Sequence, residues 1–215
     1  MRKFVAYALL ALAFIIIYGS AALSFFVTAE YELNMNLILF SLILNFIVMF
    51  FPVVIFVYLI YGNVWENLYF RKEKLAISIL YGLIATVLFI LASSIILYVI
   101  GYKEENPLAE EIGKNINLAF LILIPLISSI SEETFFRAFI QMRLENKFGF
   151  MPSLLISSIL FAVAHLEYKT YIQIVMPFFF GIVLGILMHK SKNIAAPISA
   201  HFFYNFFSLA IFLYQ

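Results

Sequence analysis

Residues 115–147 read NINLAFLILIPLISSISEETFFRAFIQMRLENK. An uncharged run, Asn115 to Ser131, is followed at once by Glu132 and Glu133 and, four residues on, by Arg137. A membrane-spanning helix needs about 20 apolar residues, with a range of about 17–25. The run is just long enough to span alone, in which case the helix ends near Ile130 and the charges begin a solvated loop. The alternative is a longer helix that carries two carboxylates and a guanidinium into the bilayer. There each ionisable group costs at least ~2.5–3.5 kcal/mol and faces the bundle interior. The first reading gives a plain apolar bundle, and the second gives a bundle built around a polar site.

The rest of the chain sets the solvent. Of 215 residues, 65% are hydrophobic and 12% charged, and the mean hydropathy is +1.06. Soluble domains are about 45–50% apolar and about 25% charged, so a soluble fold of this chain would expose large apolar patches. Disordered chains are poor in apolar residues and are excluded as well. A net charge of +1 leaves no footprint for nucleic acid. With no Cys in the chain, disulfides, thiol nucleophiles and Cys-based metal sites are ruled out.

Seven uncharged apolar runs follow one another: Phe4 to Ala29, Leu33 to Trp65, Leu75 to Tyr102, Asn115 to Ser131, Phe148 to Ala164, Thr170 to Met188 and Asn193 to Gln215. Backbone groups in hydrocarbon must be satisfied within the segment, so the runs are helices. The expectation is an all-α, polytopic membrane bundle of about seven helices. The first run is too long for a signal peptide's apolar region, and Ser20-Ala21-Ala22 is only a weak cleavage-like site. With the N-terminus cytoplasmic, the inside loops carry Arg2, Lys3, Arg71, Lys72, Lys74, Arg143, Lys147, Lys190 and Lys192. The outside loops then carry only Lys103, Lys114 and Lys169, so the positive-inside rule puts the N-terminus inside. The longest polar break, 101–114, divides one membrane domain into an N-terminal three-helix part (1–114) and a C-terminal four-helix core (115–215). Pro125 and Pro177 are expected to kink their helices. Gly181 and Gly185 form a GxxxG spacing suited to close helix packing.

No ionisable group falls within the first three spans. The last four carry Glu132, Glu133, Arg137, His165 and His201, with Asn205 one turn after His201. Glu133 and Arg137, four apart, share a helix face. Glu132 is rotated by about 100° from Glu133, so Arg137 cannot hold both acids equally. His201 and Asn205 also share a face and need polar partners, for which the two glutamates are available. His189, beside Lys190 and Lys192, is expected at the interface. At 1.5 Å per residue these groups lie about 12–22 Å from the basic ends of their helices. One layer can hold them all, provided the fourth helix continues past Arg137.

Glu132-Glu133-xxx-Arg137, Phe161-xxx-His165 and His201-xxx-Asn205, in this order, resemble the three motifs of the CPBP family. That family comprises the type-2 CAAX prenyl proteases of Ras-converting-enzyme type, the bacteriocin-processing and immunity proteins, and the Abi proteins. The resemblance runs from about Asn115 to Leu209 and takes in Gly181, Gly185 and Ala195-Ala196-Pro197-Ile198. It implies a bundle of about eight helices, one more than the roughly seven counted here. It also implies an intramembrane endopeptidase of the glutamate type, acting without a cofactor on a peptide or prenylated-protein substrate at the membrane lipid. By the same resemblance Glu132 and His165 hold and deprotonate a water, His201 and Asn205 donate to the oxyanion, and Glu133 and Arg137 orient the site. A zinc-dependent version would use Glu132, His165 and His201 as ligands, although no HExxH is present. A non-catalytic immunity or scaffold protein and a proton-coupled transporter are the other classes, the latter because intramembrane Glu and His also mark ion paths. The terminal Phe212-Leu213-Tyr214-Gln215 is not a prenylation signal.

Overall fold

A computed structural model describes residues 1–26, 35–102, 117–166 and 171–211. Among these every regular element is a helix: α1 (Arg2–Phe26), α2 (Met35–Tyr61), α3 (Val64–Asn67), α4 (Leu75–Val99), α5 (Leu118–Glu133), a π-helical segment (Thr134–Gln141), α6 (Met142–Phe148), α7 (Phe150–Val163), α8 (Ile172–Ser191) and α9 (Ala195–Ala210). Five stretches are long and apolar enough to cross a membrane: Arg2–Ser24, Met35–Tyr61, Leu75–Val99, Leu118–Phe148 and Ile174–Ser191. α7, with 14 residues, and α9, with 16, are shorter than the spans expected there. Gly149, at φ 83°, separates α7 from α6 and trims its run at the start. The loops bearing Glu30, Glu32, Lys114 and Lys169, and nearly all of the 101–114 break, lie outside the described residues.

The opening ambiguity is resolved by a single helical stretch of 31 residues, Leu118–Phe148, that runs through both glutamates and Arg137. Asn117 caps it, accepting a 3.1 Å bond from the Phe120 N–H. Within it, the backbone widens into the π-helical segment, where the Met142 N–H donates to the Arg137 carbonyl five residues back. Every residue from Ser131 to Met142 is buried, so this segment forms the core of the bundle. π-turns are rare and tend to sit at functional sites.

Two small-residue seams fix the helices around it. On α8, three contacts repeat at an offset of 44 residues: Arg137 Nη2 donates to Gly181 O (3.4 Å), Gln141 Nε2 to Gly185 O (2.9 Å), and His189 Nδ1 lies 2.8 Å from Glu145 Oε1. The glycines make this approach possible. A Cβ on Gly185 would fall against Leu154 and within 2.7 Å of Gln141 Oε1. The second seam joins α4 to α9. Ser78, Gly82 and Thr86, one turn apart, are buried, and Thr86 donates to the Ala200 carbonyl at 2.8 Å. A Cβ on Gly82 would fall on Ser199 Oγ and 2.6 Å from Ala196 O.

The start of α9 is fixed from the other side by Asn193, which is buried. Its Nδ2 donates to the carbonyls of Arg71 (3.1 Å) and Glu73 (3.0 Å), and the Ile194 N–H donates to Tyr69 O at 3.0 Å. His201 is thereby held at a defined height by contacts from the N-terminal helices and their loop.

Candidate active site

Glu133 is at the centre of the polar cluster. It is fully buried, with Oε1 2.8 Å from His201 Nδ1 and Oε2 3.2 Å from Arg137 Nε. Arg137, also fully buried, reaches Gly181 O with Nη2 and lays its guanidinium over the Phe161 ring at 4.2 Å. Aromatic faces attract cations, and a desolvated site strengthens that attraction. One carboxylate thus joins two helices, α5 through its own backbone and α9 through His201.

Glu132 points to a different partner, as the 100° rotation requires. Its Oε2 lies 3.8 Å from His165 Nε2, beyond a direct hydrogen bond but close enough for one water to touch both. His165 sits just past the end of α7, and its Nδ1 is 2.7 Å from the Phe161 carbonyl. A carbonyl only accepts, so Nδ1 carries the proton and Nε2 is the basic nitrogen. The Phe161 ring separates the two imidazoles, at 4.6 Å from His165 and edge-on at 5.7 Å from His201, with Phe180 closing the far side of His201.

Asn205 does not reach the glutamates. Its Nδ2 donates instead to Ser128 Oγ at 3.3 Å, and Ser128 in turn donates to the Pro125 carbonyl at 3.3 Å. Because that hydroxyl spends its proton on Pro125, it can only accept from Asn205, which sets the amide with its NH2 group forward. Ser128 is one turn before Glu132, so the amide stands over the same helix face as the outer carboxylate.

Sequence reading missed three contributors. Ser128 was visible as a polar residue four before Glu132. Thr86 belonged to a Ser78–Gly82–Thr86 stripe inside an apolar run. Tyr18 of α1 had no local signal. Its hydroxyl donates to the Leu160 carbonyl at 3.3 Å, 142 residues away, next to the residue that holds His165. His189 lies at the basic end, stacked on Phe150 and sharing Glu145 with Lys192 (2.6 Å). Among the described residues no three His or Glu side chains come close enough to hold a metal ion, and the zinc set Glu132, His165 and His201 is not assembled. Glu133 Oε1 engages His201 Nδ1 at 2.8 Å.

A buried carboxylate–guanidinium–imidazole triad, a second carboxylate beside a second imidazole, and an oriented amide on one helical bundle define a polar site enclosed within membrane helices. The profile of the family described as Type II CAAX prenyl endopeptidase Rce1-like matches residues 114–207, the stretch that holds all of these groups. Through that region the chain is similar to the Rce1-like family. Over 143 residues, 64% of this chain, it is 29% identical to "Putative membrane peptidase YdiL" of Bacillus subtilis (strain 168). The match spans 57% of that relative's length. No solved structure matches the chain at a significant level.

Proposed function

We propose that this multi-pass membrane protein is an intramembrane endopeptidase that hydrolyses a peptide bond with a glutamate-activated water. The observation that carries the reading is the placement of Glu132 Oε2 and His165 Nε2, 3.8 Å apart, beside the inner Glu133–His201–Arg137 triad. The match of residues 114–207 to the Rce1-like family profile supports it.

In the proposed reaction a water between Glu132 and His165 Nε2 attacks the scissile carbonyl carbon while its proton passes to that pair. General-base assistance of this kind contributes about 10²–10⁴-fold. The carbonyl oxygen gains the negative charge and accepts hydrogen bonds from the Asn205 NH2 and from His201, which donates through the nitrogen not engaged by Glu133 when its ring is doubly protonated, the Glu133 carboxylate balancing that charge. Preorganised donors in a dry site are worth more than in water. Collapse breaks the C–N bond, and the proton taken from water goes to the leaving amine, giving one acid and one amine. Glu133 and Arg137 act by position, fixing His201 and the π-helical segment. The three N-terminal helices (1–114) would brace the catalytic helices of 115–215.

The likeness to that family suggests the substrate class: the C-terminal peptide of a lipid-anchored protein, whose prenyl chain partitions into the bilayer beside the site. The distribution of basic residues supports a cytoplasmic N-terminus. The test is a reconstituted cleavage assay on prenylated and unprenylated peptides, with Glu132→Ala and His165→Ala beside wild type. Cleavage lost in both variants is expected. Undiminished cleavage in either would sink the mechanism, and cleavage of unprenylated peptide alone would sink the substrate class.

A further inference from the structure

The basic end of the bundle holds a cation without a counter-ion. Arg143 of α6 is partly buried, and its guanidinium lies between two rings, 4.7 Å from Tyr61 and 4.7 Å from Phe139. Its Nε is buried with no hydrogen-bond partner. Its charge faces the hydroxyls of Tyr61 and Tyr69, and its side chain shares a hydrogen bond with Tyr61. Arg71 lies over the Tyr69 ring, 5.4 Å from its centroid. Among the described residues neither arginine pairs with a carboxylate. Glu145, the nearest acid in sequence to Arg143, is taken by His189 and Lys192.

The platform is rigid. Tyr69 has a positive φ of 60°, and its carbonyl is held by the Ile194 N–H while the Arg71 carbonyl is held by Asn193. The surroundings mark a membrane boundary. Tyr61, at the end of α2, and Trp65, in α3, are 53% and 58% exposed, as amphipathic rings among headgroups are. A partly desolvated guanidinium presents a planar donor fork that matches phosphate, and basic pockets beside spanning helices bind anionic headgroups.

We propose that Arg143 and Arg71, held on Tyr61, Phe139 and Tyr69, form a binding site for the headgroup phosphate of an anionic phospholipid. The flanking exposed aromatic residues favour a bilayer lipid over free phosphate, because acyl chains lie against them. The site is independent of the peptidase reading.

The test is thermal unfolding of the full chain in nanodiscs of phosphatidylcholine, of phosphatidylcholine with phosphatidylglycerol, and of phosphatidylcholine with added inorganic phosphate. A ligand that binds only the folded state raises the midpoint. Wild type is expected to gain in phosphatidylglycerol and not with inorganic phosphate. Arg143→Met keeps the packing between the rings. It should match or exceed wild type in phosphatidylcholine, where the uncompensated cation is gone, and lose most of the phosphatidylglycerol gain. Arg71→Met should lose part of it and carries the test if Arg143→Met does not fold. Lys190→Met, an exposed lysine at the same end, should keep the gain. An equal gain in wild type and both arginine variants, an equal loss in Lys190→Met, or a gain from inorganic phosphate would each overturn the proposal.

Discussion

The two adjacent glutamates invite a direct contrast, since the same chemical change should have opposite consequences one residue apart. Glu133 is fully buried and balances Arg137 at 3.2 Å while accepting from His201 at 2.8 Å. In Glu133→Gln one amide must serve both neighbours. Its oxygen can accept from only one of them, and its NH2 is then turned against a second donor. The larger loss is electrostatic, because Arg137 stays charged, fully buried and unbalanced. Removing one partner of a buried ion pair costs about 3–5 kcal/mol. Native proteins are stable by only about 5–15 kcal/mol, so a loss near 4 kcal/mol removes a large share. It corresponds to about a thousandfold in the folded-to-unfolded ratio. Glu132 sits at the edge of the cluster with its side chain 10% exposed and its carboxylate 3.8 Å from His165 Nε2. Glu132→Gln is therefore expected to fold as wild type and to lose hydrolysis by about 10²–10⁴-fold. Denaturant titration of purified protein in mixed micelles reads the first effect and the peptide-cleavage assay reads the second. Glu133→Gln/Arg137→Met, which removes the stranded charge as well, should recover most of the stability. Equal stability of Glu133→Gln and wild type, equal destabilisation by both glutamine variants, or no recovery in the double variant would refute the assignment of inner and outer carboxylates.

Other expectations follow from individual contacts. Asn205→Ala removes one oxyanion donor and should lower kcat by about 10²–10³-fold with little change in KM, measured by steady-state cleavage. Ser128→Ala frees the Asn205 amide to turn, so it should lower kcat less than Asn205→Ala and have no further effect in the Asn205→Ala background, while Ser128→Thr restores the rate. Gly82→Val should destabilise the chain by at least about 1–3 kcal/mol in the same denaturant titration, because its Cβ meets Ser199 and the α9 backbone. Prolonged dialysis against a strong chelator should leave cleavage unchanged, and loss of activity restored by Zn²⁺ would contradict the metal-free reaction.

Much of this protein was legible one residue at a time. Transfer of a side chain to lipid is a local cost, so the long uncharged runs identify membrane helices, and five described stretches meet that criterion. The same cost makes every intramembrane Glu, Arg or His conspicuous, and the four-residue step between Glu133 and Arg137 already put those two on one face. Two expected spans are shorter than their apolar runs, because a run shows where lipid is tolerated and not where Gly149 turns the chain. What tertiary structure alone decided is which groups meet across helices. Sequence could offer either glutamate to the histidines, whereas helix crossing gives His201 to Glu133 and His165 to Glu132. It also gives Asn205 to Ser128, a partner that sequence did not suggest. Those meetings join residues 33 to 77 positions apart and depend on the height and rotation of each helix. Height and rotation are set by the glycine seams, by Thr86 on Ala200 and by Asn193 on the 71–73 carbonyls. Periodicity within one helix carries no record of how far its neighbour has slid, and the physical basis of the site is that relative placement.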